Sequence, residues 1–107
     1  MKRGDVVTVA LQGDFGKPRP ALVIQSDLFA DHPSTTVLPI TSECRDTPLF
    51  RISVQAQASN GLIKASQIMV DKAQTLSSHR LGAPIGRLKR EEMQAVDRAL
   101  AVFLGVI

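Results

Sequence analysis

Neither tryptophan nor tyrosine occurs in this chain, and phenylalanine occurs only four times in 107 residues. Aromatic platforms on which nucleic-acid bases could stack are therefore scarce. Cysteine is nearly absent too: a single Cys44 rules out an intramolecular disulfide and fits a reducing compartment. With only two histidines beside it there is no recognisable metal-ligand spacing, so neither a structural metal nor a cofactor is expected. No apolar run is long enough for a signal peptide or a membrane span, which points to a cytoplasmic protein with no membrane partner. A nucleophile elbow and the glycine-lysine pattern of a phosphate-binding loop are both missing, as are repeats, linkers and low-complexity tracts. A polybasic tail is missing as well. The net charge of +3 is spread along the chain, so any nucleic-acid site would be a local pocket and not a broad electrostatic track.

What is present is ordinary for a soluble domain: 44% hydrophobic and 21% charged residues, in a chain long enough to bury a core as one domain over residues 1–107. Its organising stretch is Gly16-Lys17-Pro18-Arg19-Pro20-Ala21-Leu22-Val23-Ile24-Gln25-Ser26-Asp27. Two prolines fix φ and push Lys17 and Arg19 toward extended conformations, so both cations sit in a stiff segment. The continuous apolar run from Ala21 to Ile24 has the composition of a strand buried on both faces. A guanidinium at the mouth of such a strand calls for an anionic partner, either a carboxylate such as Asp5 or Asp14 or a bound ligand.

Around this stretch the pattern is mainly β. Asp5 to Leu11 alternates as a first strand. Residues 12–17 form a glycine-bracketed connection in which Phe15 either meets a base or staples the loop to the core. Thr35 to Ile40 is a short third strand that Pro39 should confine to an edge or bulge. Thr41 and Ser42 follow it, two hydroxyls where the ladder ends and where local turn bonds are the commonest role. Phe50, Ile52 and Val54 alternate with Arg51, Ser53 and Gln55. Asn60-Gly61 is a turn signal, and Leu62 to Val70 should return as the second arm of a hairpin. Leu81 to Leu88 suits a last short strand or turn. From Lys89 the period changes: Met93, Val96, Leu100, Phe103, Leu104 and Ile107 make the apolar stripe of a C-terminal helix covering the sheet.

A fixed arginine, a neighbouring lysine and a pair of hydroxyls suit a phosphodiester. Arginine's planar fork can hold two phosphate oxygens and stabilise charge growing on phosphorus. In RNA the 2′-hydroxyl is itself the nucleophile, so alignment, charge neutralisation and two proton transfers suffice.

The sequence also carries a resemblance. Gly4-Asp5-Val6-Val7, the run from Lys17 to Ile24, Leu38-Pro39-Ile40-Thr41-Ser42, Gly61-Leu62-Ile63-Lys64-Ala65-Ser66-Gln67 and the closing helix stand in the order and spacing of one family. They resemble the MazF/PemK toxin endoribonucleases, or mRNA interferases, of type II toxin–antitoxin systems over nearly the whole chain. The resemblance implies a small SH3-like barrel with a C-terminal helix, the MazF/CcdB-like toxin fold. It implies sequence-specific, metal-independent cleavage of single-stranded RNA to a 2′,3′-cyclic phosphate and a 5′-hydroxyl. A homodimer whose RNA groove crosses the interface, and a cognate antitoxin that blocks it, are implied as well. The family's catalytic arginine falls on Arg19 and its threonine on Thr41, and Lys17, Phe15, Ser42, Lys64, Ser66 and Gln67 are the matching candidates for RNA binding. One departure stands out: the arginine and aspartate that the plasmid-borne branch carries on its fifth strand are here Lys64 and Ser66. The general base is left open among His32, Asp14 and Glu43. The alternative on the same fold is a CcdB-like gyrase poison without enzymatic activity, which the apolar ending Phe103-Leu104-Gly105-Val106-Ile107 loosely resembles.

Overall fold

The computed structural model describes residues 1–10 and 17–107; the loop expected around Phe15 and Asp14 lies outside the described residues. Seven strands are described: β1 (Asp5–Ala10), β2 (Pro18–Val23), β3 (Ser34–Thr41), β4 (Arg51–Val54), β5 (Ser66–Met69), β6 (Gln74–Ser77) and β7 (Gly86–Arg87). One helix, α1 (Arg90–Phe103), closes the chain. The strands run β4-β5-β3-β2-β1-β7 with β6 also paired to β3, a strongly bent half-barrel of the expected SH3-like, mainly β kind.

Both faces of the central strands are dry. Val6 of β1, Leu22 of β2 and Leu38 of β3 sit in one cross-strand row and pack with Ile68 and the helix residues Val96 and Ala99. Val7, Val9, Ala21, Val23 and Val37 point the other way, into a second cluster closed by Leu81. This is why the run from Ala21 is uninterrupted: alternate residues supply two cores.

Three expectations are corrected. The strand carrying Pro39 is not an edge but the most heavily paired strand described. It meets β2 through Val37, Leu38 and Pro39, β6 through Ser34–Val37 and β5 through Ile40 and Thr41. Pro39 falls between the stretches that pair with β6 and with β5, an interruption of the ladder where a residue without an N–H fits and the strand can change partners.

The second arm of the β4–β5 hairpin is shorter than expected, because the chain from Leu62 to Ala65 is not a strand. Asn60, only 1% exposed, explains this: its Nδ2 donates to the Gln55 carbonyl, and its Oδ1 accepts the Gln57 and Leu62 N–H groups. The side chain acts as an internal plug for a wide loop. Gly61 beside it has φ +72°, and a Cβ there would run into the Ile85 carbonyl oxygen, so glycine is required.

The third correction concerns α1. Its start is as patterned, with Glu91 and Glu92 in the first turn and the Glu92 carboxylate accepting the Lys89 N–H at 2.9 Å. An ion pair of 2.7 Å between Arg3 and Asp97 ties it to the start of the sheet. Full burial ends at Ala99, however, and Phe103, Leu104 and Ile107 are 51%, 66% and 79% exposed. The apolar stripe outruns the sheet it covers. At Gly105 (φ +74°) the chain turns off in a Schellman cap, with Val106 N–H donating to the Ala101 carbonyl and Gly105 N–H to that of Val102.

Candidate functional site

A cavity of about 650 Å³ opens where β2 and β3 emerge from the core, beside the wide β4–β5 loop. Arg19 reaches it from the exposed first half of β2, held between Pro18 and Pro20 and paired across the ladder with Val9. The backbone of this guanidinium is therefore fixed by two prolines and a ladder, as the sequence implies. Asp5, one of the acids considered as its partner, instead takes the guanidinium of Arg87 and the N–H of Lys2. Asp14, the other, lies outside the described residues.

Thr41 ends β3 at the same cavity. Its Oγ1 accepts the Glu43 N–H at 3.0 Å, the local turn bond expected of a hydroxyl at a strand end. That bond uses a lone pair and leaves the O–H hydrogen able to donate. Ser42 and Glu43 follow on the rim. Opposite them, Lys64 and Ser66 enter from the loop and from β5, and the buried Ser66 hydroxyl donates to the Lys64 carbonyl at 2.8 Å. Six residues singled out in the sequence are thus brought together from three segments: Arg19, Thr41, Ser42, Glu43, Lys64 and Ser66.

The remaining candidates are placed elsewhere. Lys17 is exposed just before β2, outside the lining, and Phe15 is outside the described residues. Gln67 is buried, and its amide is bonded to the backbone of Arg45. His32, considered as a base, is not on the cavity: its Nδ1 accepts the Ser34 N–H within a turn. Of the candidate bases among the described residues, Glu43 lines the site and His32 does not.

Sequence reasoning missed Lys72, which lines the cavity from a 3-10 turn, and the apolar rim of Ile63 and Ile85. Lys72 had a faint signal, a charged pair with Asp71 closing a strand. The isoleucines had none, because their approach depends on the β4–β5 loop folding back toward the chain before β7. The described lining carries three cations, Arg19, Lys64 and Lys72, against one carboxylate, Glu43. A concave site with that balance and hydroxyl donors fits an anion whose charge is spread over several oxygens.

Comparison with known proteins gives the family and the fold. Residues 2–104 match the family described as PemK-like, MazF-like toxin of type II toxin–antitoxin system. The chain is 44% identical over 107 residues to a probable endoribonuclease MazF of Mycolicibacterium smegmatis, covering 99% of this chain and 98% of that protein. It is 32% identical to endoribonuclease EndoA of Bacillus subtilis, covering 100% and 97% of the two chains. Among solved structures, a MazF toxin of Mycobacterium tuberculosis superposes with a TM-score of 0.81 at 27% identity, over 94% of this chain and 96% of that one. A mycobacterial endoribonuclease in complex with its cognate antitoxin shares the fold, with a TM-score of 0.82 at 23% identity over 100% and 97% of the two chains.

Proposed function

The chain belongs to the family of PemK-like, MazF-like toxins of type II toxin–antitoxin systems, and from that membership we propose that it is an endoribonuclease cutting single-stranded RNA at short sequences. The products are a 2′,3′-cyclic phosphate and a 5′-hydroxyl. The observation that carries this reading is the convergence of Arg19 from β2 and Thr41 from β3 on one cavity.

The scissile phosphate lies against Arg19, whose fork binds two non-bridging oxygens and stabilises the charge that grows on them as the 2′-oxygen attacks. Arginine holds its own proton too tightly to be the base. Thr41 donates its hydroxyl hydrogen to the phosphate or aligns the 2′-hydroxyl. Lys64 and Lys72 draw the flanking phosphates across the cavity. Glu43, on the rim beside Thr41, takes the 2′-hydroxyl proton directly or through water, and water delivers a proton to the departing 5′-oxygen to give the 5′-hydroxyl. The nucleophile is supplied by the RNA, so the residues have only to orient it and manage charge and protons. A cognate antitoxin as inhibitor, a homodimer as the working form and the cytoplasm as its location complete the proposal.

The test is to incubate the protein, with EDTA present, with a long RNA poor in secondary structure and to map the ends by primer extension beside Arg19→Ala. Discrete cuts bearing 5′-hydroxyls are expected, with the rate roughly 100- to 1000-fold lower in the variant. Intact RNA from folded wild-type protein, or cuts that Arg19→Ala leaves unchanged, would overturn the reading. The first outcome would send the protein to a gyrase-binding assay.

A further inference from the structure

We propose that Gln67 is a positioning residue that sets the sequence preference of cleavage without touching RNA, by clamping the rim segment 42–48 to β5. The proposal rests on the endoribonuclease reading above.

Gln67 sits on β5 directly across the ladder from Thr41 and is 7% exposed. Its Oε1 accepts the Arg45 N–H at 2.8 Å and Arg51 Nη1 at 3.3 Å. Its Nε2 donates to the Arg45 carbonyl at 2.8 Å and to Ser53 Oγ at 3.3 Å. A primary amide offers two acceptor positions and two donor hydrogens, so these four bonds fill its capacity and leave nothing for a base. The orientation of the amide follows from the same partners: a flipped group would set its hydrogens against the N–H groups of Arg45 and Arg51.

The paired bonds to Arg45 N and O repeat what a neighbouring strand would offer, although segment 42–48 is not a strand. The side chain thus substitutes for a missing rung. Arg51 adds a second hold, donating from Nη1 to the Glu43 carbonyl at 2.9 Å. Glu43 N–H in turn donates to Thr41 Oγ1, and Ser42 and Glu43 face the cavity. A continuous set of bonds therefore runs from the buried amide through the rim to the threonine hydroxyl. Arg19 stands apart from it on β2, so a shift of the rim moves Glu43 and the Thr41 hydroxyl's partner while the guanidinium keeps its backbone position. Burying an amide is costly unless it is fully bonded. Control of the rim gives this one a role beyond packing.

The experiment compares wild type, Gln67→Ala and Gln67→Met, the last keeping volume without hydrogen bonds. Amide exchange at Arg45, read by NMR, is expected to quicken about tenfold or more in both variants, the effect of losing roughly two net hydrogen bonds, while β1 to β3 keep their protection. Cleavage is measured on a pool of RNAs differing at the bases that flank the cut. The ratio of kcat/KM between the preferred site and its single-base variants is expected to fall about tenfold, whereas Arg19→Ala lowers the rate evenly across the pool. An unchanged preference in folded Gln67→Met, or unchanged exchange at Arg45, overturns the proposal. If Gln67→Ala does not fold, Gln67→Met alone decides. Wild-type protein that leaves the whole pool intact overturns the endoribonuclease reading instead, and exchange at Arg45 then still supports or overturns the clamp.

Discussion

The two halves of β2 share one ladder and little else. Ala21, Leu22 and Val23 are buried between two hydrophobic clusters, while Pro18 and Arg19 stand in the open at the cavity. Yet Pro18 to Leu22 pair with successive residues of β1, from Ala10 back to Val6, in one unbroken register. The buried half makes the exposed half rigid. An arginine carried on the continuation of a core strand inherits the core's fixed backbone, so only its side chain is left to be ordered when an anion arrives.

Substitutions can break this comparison from either side, and the largest effect is expected within the core. Leu22→Ala removes a fully buried side chain at the centre of a cross-strand row and should lower unfolding free energy by ~2–5 kcal/mol in urea titrations. Cleavage per folded molecule should survive, and a folded but inactive variant would mean that the core shapes the site more directly than the ladder implies. Asn60→Ala tests the polar counterpart of such a residue. It strands the Gln55 carbonyl and the Gln57 and Leu62 N–H groups, so a loss of about 2 kcal/mol is expected, with reduced cleavage because the same loop presents Lys64. Lys72→Ala should lower kcat/KM by only about threefold at low salt, an effect that fades as salt rises. A salt-independent loss would assign Lys72 a closer role than phosphate attraction. The smallest change expected is in the stability of Arg19→Ala, within about 0.5 kcal/mol of wild type, even though that substitution should cost the most in rate.

How far the sequence could be read differs along the same lines. The buried half of β2 was legible because a run of apolar, β-branched residues has few other uses, and Arg19 was legible because two prolines announce its backbone. The exposed end of α1 was not. A three-four repeat states which residues share a face but not how far the sheet beneath extends, so Phe103 and Leu104 look the same as Val96 in the sequence. Pro39 misled for a related reason: its missing N–H points to an unpaired position, and nothing local distinguishes an edge from the place where a central strand changes partners. Gln67 lies within a motif whose neighbours line the cavity, but its buried amide is taken up by the backbone of Arg45, so proximity in sequence did not bring it to the site.

By itself the sequence determined the strand character of β1, β2 and β4, the two-sided burial of β2, the start of α1 and the presence of residue types that suit a phosphate, because alternation, proline and charge act over a few residues at a time. Tertiary structure alone decided which of those residues meet. Arg19 and Lys64 share a cavity only because β2 and the loop before β5 fold to the same side, and the buried Gln67 amide meets the Arg45 backbone only because that segment arrives beside it from 22 residues away. Such encounters depend on how a bent sheet closes, which no local pattern encodes.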